Sequence, residues 1–143
     1  MALSDSFDFG SVWLFSECSR SELKSIAKSA AQVPVPAGTT VCDEGEVGQT
    51  FYFIVSGKAT VYRNGRKTAE LGPGNYFGEL ALLDRLPRSA TVKATTDLEL
   101  LEISQKDFNR LLSESAALTK KLLVATASRL RNADAKALGA AVH

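Results

Sequence analysis

Apolar positions change their period twice along the chain. Leu23, Ile26, Ala27 and Ala30 recur three and four apart, the spacing of one helix face. Just upstream, Ser19-Arg20-Ser21-Glu22 has the form of a capping box, with a serine to cap and a glutamate three positions on. Pro34 and Pro36 are expected to end this pattern, since proline lacks the amide hydrogen and clashes with the preceding turn. Before the cap, Val12, Trp13, Leu14 and Phe15 form an apolar knot, expected to be a core anchor.

From Val33 to Ile103 the period becomes strand-like. Val33, Val35 and residues 39–41, 51–55, 59–62 and 67–71 make short runs rich in β-branched and aromatic residues, punctuated by glycine. Asn64-Gly65 between two such runs is a type I′ hairpin signal, because both turn positions need positive φ. Gly72-Pro73-Gly74 marks another turn, and residues 89–103 resume as strands. Strands about ten residues apart with turns between them predict a small antiparallel barrel or roll.

Helical spacing then returns. Ser104 and Asp107 resemble a weaker capping box, ahead of Phe108, Leu111 and Leu112 facing inward. A second helix is predicted from about residue 115 to 138, with Leu118, Leu122, Leu123, Ala127 and Leu130 on its apolar side and Gly139 as its stop. At 1.5 Å per residue it would be about 35 Å long, more than a small roll needs for cover. Its far end, from Arg131, is therefore a candidate lever or interface. The expected fold class is α+β: an antiparallel, jelly-roll-like β-roll at 33–103, an N-terminal helical segment at 1–32, and two C-terminal helices at 104–138, within one domain.

Composition narrows the function. The chain has 143 residues, 45% hydrophobic and 23% charged, which suits one globular domain and excludes disordered or fibrous classes. Apolar runs such as 80–83 fall far short of the roughly 18 residues a membrane span needs, and no signal-peptide pattern opens the chain. Cys18 and Cys42 lack any metal or disulfide spacing, so a reduced, cytoplasmic setting is expected. The single histidine is His143, which removes Ser-His-Asp, Cys-His and His-ligated zinc chemistry; an enzyme is not expected. Net charge is +1, with the positive excess in residues 104–143, where seven Lys/Arg face three Asp/Glu. That is mild for nucleic acid or a membrane surface and reads as a solvated helix face.

One stretch breaks the strand pattern. Phe77-Gly78-Glu79-Leu80-Ala81-Leu82-Leu83 opens on glycine, runs as a short helix former, and is broken at Pro87 before Arg88-Ser89-Ala90-Thr91-Val92. Helix N-termini offer unpaired N–H groups to anions, and Gly78 would let a ligand approach the backbone closely. Arg88 carries a planar fork suited to a bidentate grip on phosphate. Glu79, acceptor-only, suits two sugar hydroxyls or an ordinary N-terminal helix charge.

Residues 77–92 closely resemble the phosphate-binding cassette of the cyclic nucleotide-binding domain family, typified by catabolite activator proteins, regulatory subunits of cAMP-dependent protein kinase and cyclic nucleotide-gated channels. Pro36-Ala37-Gly38, Glu44-Gly45-Glu46, Phe53-Ile54-Val55-Ser56-Gly57 and Leu71-Gly72-Pro73-Gly74 also fall where that family places its turns, so the resemblance covers about residues 10 to 135. It implies that Glu79 accepts from the ribose 2′-hydroxyl and Arg88 pairs with the cyclic phosphate. It also implies that backbone amides near Gly78, Leu80 and Ala81, together with Ser89, add bonds, with Phe77 opening the cassette. Val61 and Ala69 would flank the purine. Arg129 sits near the position from which the last helix caps the base, where it would stack on the purine or remain an exposed helix charge. The implied ligand is cAMP or cGMP, with no other cofactor and no metal. Ser89 fits guanine recognition, yet bacterial cAMP binders carry serine there too, and the reading favours cAMP.

The resemblance implies a sensor or regulatory domain whose ligand repositions the C-terminal helix, controlling a protein partner or attached effector. A homodimer is a further expected assembly. The chain ends five residues after Leu138, so no helix-turn-helix and no nucleic-acid partner are expected. Two alternatives stand beside this reading. One is the regulatory domain of a larger channel, transcription regulator or enzyme; the other is a ligand-free scaffold docking through its basic C-terminal helix.

Overall fold

A computed structural model describes residues 8–78 and 87–142, apart from the side chains of Arg129 and residues 132–142. Two 3₁₀ turns, Phe9–Ser11 and Trp13–Phe15, lead into α1 at Arg20–Ser29. The strands are β1 (Ala31–Val35), β2 (Thr40–Cys42), β3 (Thr50–Ser56), β4 (Ala59–Arg63), β5 (Arg66–Leu71), β6 (Tyr76–Phe77), β7 (Thr91–Ala94) and β8 (Leu98–Ser104). Helices α2 (Gln105–Glu114) and α3 (Ala116–Val142) follow. The strands form two four-stranded sheets, ordered β1-β8-β3-β6 and β2-β7-β4-β5, and every strand pair is antiparallel. This is the expected β-roll with helices at both ends.

Strand alternation distributes the core. Odd positions Phe51, Phe53, Leu101 and Ile103 face the helices and pack with Phe15, Ile26, Phe108, Leu111, Leu118 and Leu122. Even positions Ile54, Leu98 and Leu100 face the interior of the roll with Ala59, Phe77, Val92 and Ala94. The first sheet is thus covered on both faces, which is why β3 carries aromatic and aliphatic residues at every position from 51 to 55 and β8 buries Leu100 and Leu101 side by side. Asn64 and Gly65 hold φ of 54° and 76°, the pair of left-handed residues that a type I′ turn requires.

Local signals act as chemistry dictates at α1 and α2. Ser19 accepts from the Glu22 amide while Glu22 accepts from the Ser19 amide, a complete capping box. Ser104 accepts from the Asp107 amide, a one-sided cap.

Four expectations are corrected. Helix α1 ends at Ser29, before either proline, because Ala31 and Gln32 pair with Glu102 and Leu101. Pro34 sits inside β1, tolerated because β1 is an edge strand, with no neighbour on its outer side among the described residues. Trp13 is not a core anchor; it is half exposed, with the Lys121 ammonium 4.4 Å from its ring centroid. On α3, Leu118 and Leu122 are buried, but Leu123 and Leu130 are 68% and 63% exposed and Ala127 also faces outward. Packing follows 118, 122 and 125, leaving the other apolar positions outside. Finally, α3 does not stop at Gly139 but runs to Val142, over 27 residues. A single interior glycine costs only about 1 kcal/mol against alanine, and alanines follow it.

Candidate functional site

Arg88 is a buried charge that ties together β3, the residue after β6 and the turn at 43–48. It is 7% exposed. Its Nη1 donates to the Gly78 carbonyl at 3.0 Å and its Nη2 to the Thr50 carbonyl at 2.8 Å. Its own backbone is fastened to the 43–48 turn: the Arg88 amide donates to Glu46, and the Gly45 amide donates to the Arg88 carbonyl. No carboxylate pairs with the guanidinium among the described residues. Two carbonyl dipoles take two of its five N–H donors and leave its charge uncancelled among the described residues.

Two glycines make room for it. Gly78 adopts φ +92°, and a Cβ there would lie 2.7 Å from the Thr50 carbonyl oxygen and collide with Arg88 Nη1. A Cβ on Gly48 would land on the guanidinium itself. Beneath the guanidinium lies the Tyr52 ring, its centroid 5.8 Å from Cζ, and Phe77 stacks on Tyr52 at 5.0 Å. Burial raises the Tyr52 phenol, the Glu102 charge raises it further, and Arg88 opposes both. The Cys42 thiol is likewise raised by burial, with Arg88 pulling the other way.

The other predicted positions distribute as follows. Phe77, Gly78 and Arg88 come together directly. Val61 and Ala69 face each other across β4 and β5, and Val61 also sits opposite Val92. Ser89 is exposed, and its carbonyl accepts from Arg63 Nε at 3.2 Å, tying the β4–β5 hairpin to the segment carrying Arg88. Glu44 closes the same rim, accepting from the Asn64 amide and donating its own amide to the Thr91 hydroxyl. Glu79, Leu80 and Ala81, with the short helix predicted on them, lie outside the described residues, as does the Arg129 side chain. Sequence reasoning missed Gly48, Thr50 and Tyr52. The available signal was that Tyr52 is the polar-tipped aromatic on the roll-facing row of a strand whose other row is phenylalanine.

A family model for the cyclic nucleotide-binding domain matches residues 32–115. The chain belongs to that family. As a member of the cyclic nucleotide-binding domain family, it is 40% identical over 109 residues to a cyclic nucleotide-gated potassium channel of Rhizobium etli, covering 76% of this chain and 30% of the channel. It is 40% identical over 97 residues to the cAMP-dependent protein kinase regulatory subunit of Aspergillus niger, covering 64% of this chain and 23% of that protein. Among solved structures, the catabolite activator protein of Thermus thermophilus superposes with a TM-score of 0.80 at 33% identity, over 87% of this chain and 61% of that one. The regulatory domain of Toxoplasma gondii cAMP-dependent kinase, solved with cAMP, gives 0.78 at 27% identity, over 89% and 49%. The chain therefore spans a third or less of these curated relatives' length. Among the described residues there is no cluster of metal-ligating side chains and no helix long and apolar enough to cross a membrane.

Proposed function

We propose that this chain binds a purine cyclic nucleotide, cAMP in preference to cGMP, through residues 77–92. Binding regulates a partner or attached effector rather than catalysing a reaction. The observation that carries this is Arg88: a buried guanidinium with carbonyl partners and no carboxylate among the described residues. Such a charge is stable when an anion joins it. In this reading Arg88 takes the cyclic phosphate, backbone amides near Gly78, Leu80 and Ala81 take its oxygens, and Glu79 takes the ribose 2′-hydroxyl. Val61 and Ala69 flank the purine, Ser89 adds a hydroxyl at the phosphate, and Arg129 stacks over the base. The kinase regulatory domain solved with cAMP supports the choice of ligand. Two free cysteines accord with a reduced cytoplasmic setting.

The regulated element is α3. Leu118 and Leu122 root it in the core while Leu123, Val124 and Leu130 stand exposed, a surface for an effector or a second copy. The coupling is limited to the difference in ligand affinity between the two positions of the helix. Because the relatives are much longer, the effector is read as a further segment or a separate protein. Parallel calorimetric titration with cAMP and cGMP tests the ligand, with micromolar or tighter cAMP binding expected. Absence of heat and of any thermal shift with both nucleotides refutes it. Hydrogen exchange across residues 116–142 tests the lever: protection is expected to change at saturating ligand, and unchanged protection refutes the movement.

A further inference from the structure

We propose that Tyr52 is the positioning residue of Arg88, its ring face fixing where the guanidinium stands. This rests on the reading of Arg88 as the phosphate partner. Four described residues surround the guanidinium. Gly48 forms one wall, the Thr50 and Gly78 carbonyls anchor its two amino ends, and the Tyr52 ring is its floor at 5.8 Å.

The chemistry of the floor matters. A carboxylate there would neutralise the arginine and compete with the ligand's phosphate. An aliphatic side chain would fill the space without attracting a cation. An aromatic face attracts the cation through its quadrupole, takes none of its N–H donors and leaves its net charge intact. Tyr52 is itself fixed by a stack on Phe77 at 5.0 Å and 22° and by its register opposite Glu102 on β8. Phe77 immediately precedes Gly78, whose carbonyl receives Nη1. The floor and one of the anchors are thus held by one aromatic pair.

The test compares Tyr52→Phe, Tyr52→Met and Arg88→Ala in the full chain, by calorimetric titration with cAMP and by the NMR resonance of the Arg88 Nε–H. Tyr52→Phe keeps the ring and should hold affinity within about twofold. Tyr52→Met keeps volume without a ring and should weaken binding by about five- to thirty-fold, the range of a desolvated cation–π contact. The Nε–H resonance should move in Tyr52→Met and stay in Tyr52→Phe. Affinity kept by Tyr52→Phe but lost by Tyr52→Met at an unchanged melting temperature is what a merely structural role would not produce. Wild-type affinity in Tyr52→Met beside lost affinity in Arg88→Ala overturns the positioning role alone. Equal losses in Tyr52→Phe and Tyr52→Met also overturn it, as does an Nε–H resonance that moves in neither. Wild-type affinity in Arg88→Ala overturns the nucleotide reading itself.

Discussion

Arg88 and Arg110 are both held by several partners, and the two regions use their arginines in opposite ways. Arg110 bridges α1 and α2 from the surface, its side chain 43% exposed. It bonds the hydroxyls of Ser25 and Ser29 and pairs with Asp107 at 3.5 Å and Glu114 at 3.4 Å. Its charge is neutralised within the helical layer and screened by water. Arg88, buried in the roll, bonds carbonyls only among the described residues and keeps its charge. The helical layer uses its charges as staples, whereas the roll holds one in reserve. On the proposed reading, loss of Arg110 should cost stability and loss of Arg88 should cost binding.

The largest effect expected is from Arg88→Ala, which should weaken cyclic nucleotide binding by about 2–4 kcal/mol while leaving the fold intact. Titration and thermal melting, run together, would separate the two outcomes. Next is Ser115→Ala in the helical layer. Ser115 is 2% exposed, and its hydroxyl accepts from the Leu118 amide at the start of α3. Its loss should cost about 1–2 kcal/mol in denaturant unfolding, by removing a buried cap. Arg110→Ala should cost less, at most about 1 kcal/mol, because exposed ion pairs contribute little. It should leave nucleotide affinity unchanged, and an affinity loss matching that of Arg88→Ala would erase the contrast between the two regions.

The smallest effect tests the seat of the roll. Burial raises the Glu102 carboxyl above its ordinary value of 4.5. A raised carboxyl favours the folded state when protonated. That contribution is fully present below the ordinary value and is lost as pH rises through the raised one. At pH 7 ionised Glu102 therefore opposes folding, and Glu102→Gln should raise the melting temperature by less than about 2 °C, solvent screening limiting the gain. The gain should vanish in buffer below pH 4.5.

Much of this contrast is legible in the residues themselves. The capping box at Ser19, the Asn64-Gly65 hairpin and the aromatic and β-branched run of β3 are local signals, legible residue by residue. Gly78 and Arg88 stand out in the sequence as candidates for a ligand, but that the glycine's carbonyl and missing Cβ serve the guanidinium itself is visible only in the fold. Three features resist such reading. The end of α1 is set by pairing of Ala31 and Gln32 with a strand seventy residues away, which outweighs the helix propensity of alanine. Leu123 and Leu130 satisfy a helical period, yet which side of α3 meets the core depends on where the 3₁₀ turn bearing Trp13 sits. Tyr52 reads as one more aromatic in a strand until folding brings Arg88, thirty-six positions later, over its ring.

The most direct test is calorimetric titration of cAMP into wild type, Arg88→Ala and Arg110→Ala under one buffer. Tight binding in wild type and Arg110→Ala, with a loss of about thirty-fold or more in Arg88→Ala, is the predicted result. Equal affinities in all three would contradict the assignment of the buried arginine to the phosphate.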